Sequence, residues 1–105
     1  MLGVDTKNCE IFQGCYTLGV NEINKAIAFE RETRIAFWFA YLHRESHSVC
    51  WHWISALTAN SVGIAKTNGQ TGDEFRVIGL QHFVTIRTRH DLGLLYTRQY
   101  QPSTV

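Results

Sequence analysis

The order of apolar and polar residues predicts a strand followed by a helix in the first third of the chain. Residues 9–20 are rich in strand-forming residues and contain Gly14 and Gly19, which favours a strand with a bend near Gly14. Asn21 is suited to cap a helix, because its side chain can accept a hydrogen bond from the first turn. Apolar residues then recur at helical spacing, which predicts a helix over residues 21–34.

The longest apolar run, residues 35–42, has no polar face. As a strand, it carries bulky side chains on both faces, with Phe37 and Phe39 on one face and Trp38 on the other. As a helix, it continues the preceding helix and is buried on all sides. Hydrophobic spacing does not decide between the two for so short a run. In both cases the segment needs cover on two sides, from the centre of the domain or from a partner subunit.

The rest of the chain begins with a predicted helix and continues with strands and turns. Ser48 is a suitable cap for a helix over residues 48–60. The pair Asn68-Gly69 favours a two-residue type I′ turn. Three further strands are predicted, over residues 75–80, 83–89 and 94–100. Together these elements predict one α+β domain, residues 1–105, in which an antiparallel C-terminal β-meander packs against two or three helices.

The last two predicted strands form a hairpin, and its register assigns their faces. Asp91-Leu92-Gly93 suits a three-residue loop with Gly93 in the left-handed conformation. In that register the core face carries Val84, Ile86, Thr88 and His90 with Leu94, Tyr96, Arg98 and Tyr100. The opposite face carries Phe83, Thr85, Arg87 and Arg89 with Leu95, Thr97 and Gln99.

Composition and charge narrow the class of protein. With 45% hydrophobic residues and a net charge of +1, the chain has the composition of a globular domain. It is unlike a disordered segment, and unlike a protein that grips duplex nucleic acid by charge alone. The charge is uneven, however: residues 1–75 carry six Lys/Arg and eight Asp/Glu, whereas residues 76–105 carry four Arg and one Asp. The predicted meander is therefore the basic part of the chain.

Cysteine usage and the apolar runs indicate where the protein works. Three cysteines exclude a fully paired disulfide framework and favour a reducing compartment. The first residues lack the apolar stretch of a secretion signal, and no apolar run reaches the about 20 residues of a membrane-spanning helix. We therefore expect a cytoplasmic protein without membrane contact.

Aromatic residues between positions 37 and 53 outnumber those that one face of one element can bury. They are Phe37, Trp38, Phe39, Tyr41, Trp51 and Trp53. Tryptophan and tyrosine are favoured in ligand cavities and in subunit interfaces. We therefore predict a non-catalytic binding domain, without a cofactor, that forms a homodimer. It has an aromatic-lined cavity for a small apolar or anionic ligand, or an aromatic dimer interface. The predicted ligand-binding residues are Arg98, Tyr96, Trp38, Trp53 and Tyr41.

Arg98 is unusual in this prediction because it projects from a mostly apolar face. A guanidinium in that position needs an anionic partner or a path to solvent. It either anchors a ligand carboxylate or phosphate, or pairs with Glu30 or Glu32, or reaches solvent at the end of the sheet.

The opposite face of the hairpin suggests an alternative function in RNA binding or RNA cleavage. Arg87 and Arg89 alternate there with threonines, and Phe83 lies on the same face. Arginines and an exposed aromatic on a sheet are typical of surfaces that stack single-stranded bases. Alternating Thr and Arg is also typical of a solvated strand face.

Two further alternatives involve Cys50, and a third involves the aromatic residues. On a continuous helix, His43, His47 and Cys50 lie on one face and could bind zinc. At the start of a helix, Cys50 could instead be an activated thiolate beside His47 and His52. The third alternative is an immunity-like inhibitor that uses the aromatic surplus to contact another protein.

Overall fold

A computed structural model describes residues 1–99, and for residues 97–99 only the backbone. The strands are β1 (Gly3–Lys7), β2 (Cys15–Gly19), β3 (Phe37–Arg44), β4 (Val49–Ser55), β5 (Ile64–Thr67), β6 (Glu74–Gly79) and β7 (Val84–Ile86). The helices are α1 (Val20–Thr33), α2 (Ala56–Val62) and α3 (Gly93–Gln99), and short 3-10 turns occupy Leu80–His82 and Arg89–Leu92. The α+β class is therefore confirmed.

The described strands form two sheets. The four-stranded sheet has the order β1-β3-β4-β7, in which β1 runs parallel to β3 and the other pairs are antiparallel. The three-stranded antiparallel sheet has the order β2-β6-β5. The type I′ turn predicted at Asn68-Gly69 is wrong, because the loop between β5 and β6 is longer and its positive φ falls on Gly72.

The main core lies on the inner face of the four-stranded sheet. Side chains from both sheets, α1 and α2 pack there into one cluster, whose largest fully buried members include Tyr16, Tyr41, Phe39, Ile23, Ile54 and Ile78. A second, smaller core lies on the outer face of the same sheet and contains Trp38, Val84, Ile86 and Leu95. The four-stranded sheet is thus covered on both faces.

Residues 35–42 form most of a central strand and not a continuation of α1. Phe39 and Tyr41 enter the main core, whereas Trp38 enters the second core. Both faces of this apolar segment are covered by other parts of the same chain. Its two apolar faces are therefore no longer a reason to expect a partner subunit.

The helix predicted over residues 48–60 is wrong over its first half. Val49–Ser55 form β4, and α2 begins only at Ala56, where the Ser55 hydroxyl accepts the N–H of Thr58 at 3.1 Å. Apart from the exposed Val49, both faces of β4 are at least partly buried, because the main core covers one face and the second core covers the other. A strand of this kind has no clear alternation of apolar and polar residues to reveal it.

The C-terminal meander does not form as predicted. A 3-10 turn after β6 carries the chain to the other sheet, where β7 pairs with β4 and ends at Ile86. The strand predicted over residues 94–100 is wrong over its described part, because residues 93–99 form α3. Gly93 has right-handed helical angles, φ −60° and ψ −27°, so the predicted hairpin loop is absent. The rest of that prediction, Tyr100, lies outside the described residues.

Helix α1 lies close to its predicted position. Its N-cap is Gly19 and not Asn21, and no side chain caps the helix. The strand predicted over residues 9–20 is confirmed only as β2. Before β2 the chain turns at Gln13 and Gly14, which both have positive φ. Within the described residues, none of the helices has the length and apolar character needed to cross a membrane.

Candidate functional site

The structure brings two of the five predicted ligand-binding residues together, because the ring centroids of Trp38 and Trp53 lie 6.5 Å apart on the outer face of the four-stranded sheet. Tyr41 is fully buried in the main core, where its hydroxyl donates to the Thr17 carbonyl at 2.8 Å. Trp38 is buried in the second core, and Tyr96 is exposed on α3. The side chain of Arg98 lies outside the described residues. Among the four whose side chains the structure describes, Trp53 alone lines the pocket that is the candidate ligand site.

That pocket lies on the outer face of the four-stranded sheet and has a volume of about 340 Å³. We call it the tryptophan pocket. Its lining combines two tryptophans, two arginines, two threonines and small or aliphatic residues. The residues are Thr6, Ala40, Trp51, Trp53, Ile86, Arg87, Thr88, Arg89 and Leu92.

Strand alternation explains why the two indoles lie together. Side chains two positions apart on a strand point to the same face, so β4 presents Trp51 and Trp53 side by side. Ala40 is the cross-strand partner of Trp53, and Thr6 is the partner of Ala40. Because both neighbours are small, the sheet leaves a depression beside the indoles.

The wall of the pocket after β7 is a turn that one carboxylate holds in place. Asp91 Oδ2 accepts the backbone N–H of Arg87 at 2.8 Å and that of Thr88 at 3.0 Å. These hydrogen bonds hold the pKa of Asp91 below its ordinary value, and the bond from the Arg87 N–H has the larger effect. The turn therefore places Arg87 and Arg89 beside the indoles in a defined conformation.

The two arginines of the pocket differ in their charge partners. Arg87 makes a bidentate ion pair with Glu45, with N–O distances of 2.7 and 2.8 Å. The Arg87 hydrogen bonds lower the pKa of Glu45 to about 2. Arg89 is exposed and has no ion pair within the described part of the chain. Arg89 is therefore the cation available to a ligand in this pocket.

The indole N–H of Trp53 does not face the pocket. Its Nε1 is buried and has no acceptor among the residues that the structure describes. A buried donor without a partner costs free energy in the folded protein, but a nitrogen without exposed surface cannot donate to a ligand in an open pocket. The indole rings and the arginine of the pocket favour a flat aromatic ligand that carries an anionic group.

A group of polar side chains linked by hydrogen bonds lies on the inner face of the same sheet. The sequence analysis does not predict it. The Tyr16 hydroxyl and His52 Nδ1 share a buried hydrogen bond of 2.7 Å. His52 Nε2 lies 3.8 Å from Cys50 Sγ, and that thiol donates to Glu45 at 3.7 Å. A series of polar contacts thus runs from the surface ion pair of Glu45 into the main core.

Protonation in this constellation is governed by burial. Burial lowers the pKa of His52 and raises that of Tyr16 to about 12. Burial and the Glu45 carboxylate raise the pKa of the Cys50 thiol. The helix start that the activated-thiolate hypothesis requires is absent at Cys50, which lies on β4 and is 1% exposed.

The helix on which the zinc hypothesis depends is absent. His43 and Cys50 are cross-strand partners on β3 and β4, and His47 is exposed in the connection between these strands. Among residues 1–99, no group of three or more His, Cys, Asp or Glu side chains is arranged to hold a metal ion.

The sheet face predicted for RNA is also different in the structure. Phe83 is 7% exposed and packs in the main core against Tyr16 and Tyr41. Arg87 and Arg89 follow the end of β7 and are not on a strand. The predicted face is therefore not a flat platform, although both arginines border the tryptophan pocket.

The fold and the pocket define the chain as a mixed α+β protein with a candidate ligand site on one sheet face. Comparison with protein-family models, with curated proteins and with solved structures found no match to this chain.

Proposed function

We propose that this protein is a small binding domain whose ligand is a flat aromatic anion held in the tryptophan pocket. The observation that carries the proposal is the placement of Trp51, Trp53 and Arg89 around one pocket. The proposal keeps the function predicted from the sequence, a domain for a small apolar or anionic ligand. Of the predicted ligand-binding residues it keeps Trp53, whereas Trp38, Tyr41 and Tyr96 are not in the lining of the pocket. The side chain of Arg98 lies outside the described residues.

The size and chemistry of the pocket support this ligand class. A volume of about 340 Å³ is at the lower end of the range of small-molecule sites. Aromatic contacts of the ring with Trp51 and Trp53 contribute about 0.5–1.5 kcal/mol each beyond the burial of apolar area. Arg89 can donate two parallel hydrogen bonds to a carboxylate, sulfonate or phosphate.

The proposal is tested by calorimetric titration with a matched pair of probes, naphthalene-2-sulfonate and neutral 2-naphthol. We expect the sulfonate to bind about tenfold more tightly, which corresponds to about 1.4 kcal/mol from the contact with Arg89. Trp51→Leu should weaken the binding of both probes. Arg89→Gln should reduce the affinity of the sulfonate to that of 2-naphthol.

Arg31→Gln provides the control, because it removes the same charge from an exposed position in the last turn of α1. It should leave the affinity of both probes unchanged. The proposal is wrong if neither probe binds the folded protein. It is also wrong if Arg31→Gln weakens sulfonate binding as much as Arg89→Gln does.

Single-stranded RNA is a second candidate ligand, because each nucleotide is itself an aromatic anion. The observation in its favour is that Arg89 lies beside two indoles on which a base can stack. In this form of the RNA hypothesis, one base enters the pocket and Arg89 contacts its phosphate.

The RNA candidate is tested by titrating the protein with a short oligouridine at several salt concentrations. Affinity should fall as salt rises, and Arg87→Ala combined with Arg89→Ala should weaken binding. Most of that loss should already occur with Arg89→Ala, because Arg87 is neutralised by Glu45. If the affinity for oligouridine changes neither with salt concentration nor with the double substitution, the RNA candidate is wrong.

A further inference from the structure

A second pocket lies where the loop after β1 meets the end of β3. It has a volume of about 250 Å³ and shares no lining residue with the tryptophan pocket. We call it the histidine pocket. Most of its lining is polar, and the residues are Asn8, Cys9, Glu10, Ile11, Tyr16, Leu42, His43 and Arg44.

The imidazole of His43 is held on a rigid support in this pocket. Its ring stacks on that of His52, with centroids 5.1 Å apart and an angle of 24° between the ring planes. His52 is in turn fixed by its buried hydrogen bond with Tyr16, and Tyr16 also lines the pocket. His43 is itself half-buried and has no hydrogen bond to another described side chain. A supported imidazole of this kind can donate or accept a hydrogen bond in a fixed direction.

The other polar side chains complement His43. Arg44 is exposed and forms no ion pair within the described part of the chain. Asn8 contributes an amide with two N–H donors. Glu10 is the one carboxylate of the lining, and an ionised carboxylate only accepts hydrogen bonds. The pocket thus combines three side chains that can donate to an anion with one that requires a donor on the ligand.

We propose that the histidine pocket binds a small oxyanion that also carries a hydroxyl group. Arg44, His43 and Asn8 donate to the oxyanion, and Glu10 accepts from the hydroxyl. A phosphate monoester of a small polyol and a hydroxycarboxylate both have this chemistry. The proposal does not depend on the tryptophan pocket, because the two sites have separate linings and different ligand classes.

The test is a titration of ¹⁵N-labelled protein, followed by amide chemical shifts, with glycerol 3-phosphate and with glycolate. The expected result is a saturable shift confined to residues 8–11 and 42–44 with at least one of these probes. Whichever probe binds identifies the oxyanion as phosphate or carboxylate. If neither probe shifts these amides, the proposal is overturned.

Exposed side chains make the variants informative, because Glu10 and Arg44 can be replaced without opening the core. Arg44→Gln should lower the affinity for the probe that binds by at least about tenfold. Arg89→Gln, in the tryptophan pocket, should leave that affinity unchanged. Equal affinity in Arg44→Gln and the unmodified protein overturns the proposal. The urea midpoint of each variant is measured in parallel, so that loss of binding is not confused with loss of the fold.

The role of Glu10 has its own comparison. Acetate has the carboxylate of glycolate without its hydroxyl. Glu10→Gln should therefore lower the affinity for glycolate more than the affinity for acetate. If acetate binds the unmodified protein as tightly as glycolate does, the hydroxyl part of the proposal is overturned. If phosphate is the oxyanion, the same comparison is made between glycerol 3-phosphate and methyl phosphate.

Discussion

The buried pair of Tyr16 and His52 lies where the two sheets meet, and we predict that it contributes measurably to stability. Tyr16→Phe keeps the aromatic contacts of the ring with Tyr41 and Phe83 but removes the hydroxyl. His52 Nδ1 then loses its partner in a buried position. We expect the free energy of unfolding, measured with urea, to fall by about 1–3 kcal/mol.

Tyr96→Phe is the matched control, because Tyr96 is 46% exposed on α3. The same chemical change at that position should alter the free energy of unfolding by about 0.5 kcal/mol or less. Equal effects of the two substitutions would show that the Tyr16 hydroxyl has no special role.

His52 should also make stability depend on pH. Burial, and next the neighbouring His43, lower its pKa below the ordinary value of 6.5. Between these two pKa values the unfolded chain binds more protons than the folded protein. The contribution of His52 is therefore complete above pH 6.5 and is lost as the pH falls from 6.5 through the lower pKa of the folded state.

Urea midpoints between about pH 8 and about pH 5 measure this dependence. We expect the midpoint to fall with pH in the unmodified protein and to fall less in His52→Gln. His47→Gln, an exposed histidine between β3 and β4, should keep the slope of the unmodified protein. If His52→Gln leaves the slope unchanged, this account of His52 is wrong.

At the scale of elements, neighbouring leucines on α3 distinguish a helix from the strand predicted from the sequence. In the structure, Leu95 is fully buried against the second core, whereas Leu94 is 50% exposed. The predicted hairpin gives the reverse, with Leu94 inside and Leu95 outside. Leu95→Ala should therefore lower the free energy of unfolding by about 2–5 kcal/mol. Leu94→Ala should change it by about 0.5 kcal/mol or less, and the opposite order would support the hairpin.

The elements that could be predicted from the sequence are those with one buried face. Helix α1 buries Ile23 and Ala26 and exposes most of its other face, so its helical period is visible in the chain. Strand β4 is at least partly buried on both faces except at its first residue, so its apolar residues fit a helical stripe as well as a strand. Helix α3 buries a single leucine among its described side chains, which is too little for a helical period to be recognised.

Only part of the candidate site can be predicted from the sequence. The sequence pattern draws attention to Trp53, Arg87 and Arg89, but it assigns them to different functions. On a helix, Trp51 lies off the apolar stripe, whereas on a strand it lies beside Trp53 on one face. The grouping also depends on the turn held by Asp91, whose contacts bring residues distant in sequence from β4 to its surface.

At the scale of the whole molecule, both cores should unfold in one transition because they share the four-stranded sheet. All three tryptophans lie on the outer face, so their fluorescence reports the second core. Far-ultraviolet circular dichroism reports the backbone of the whole fold. We expect coincident urea transitions by the two methods. An earlier fluorescence transition would show that α3 and the second core unfold independently.

We predict that two copies of this chain form a homodimer. The exposed apolar side chains available for a dimer interface include Phe12 and Ile64, which are 72% and 62% exposed. Ile64 belongs to β5, which lies at the end of its sheet, and no other strand among residues 1–99 pairs with its outer edge. Light scattering should give twice the 12.0 kDa mass of one chain, and Ile64→Lys should return it to that mass. A value of 12.0 kDa at all concentrations contradicts the dimer.

The burial of β3 on both faces also affects how the chain finds its strand register. A slip of one residue exchanges the two faces of a strand, and in most sheets this is prevented because it moves polar groups inward and apolar groups outward. In β3 both faces are apolar, so polarity gives little discrimination between the native register and its neighbours. The Tyr41 hydroxyl, bonded to the Thr17 carbonyl, is an exception, because a slip turns it away from that acceptor. Tyr41 therefore helps to specify which of several apolar pairings becomes the native one.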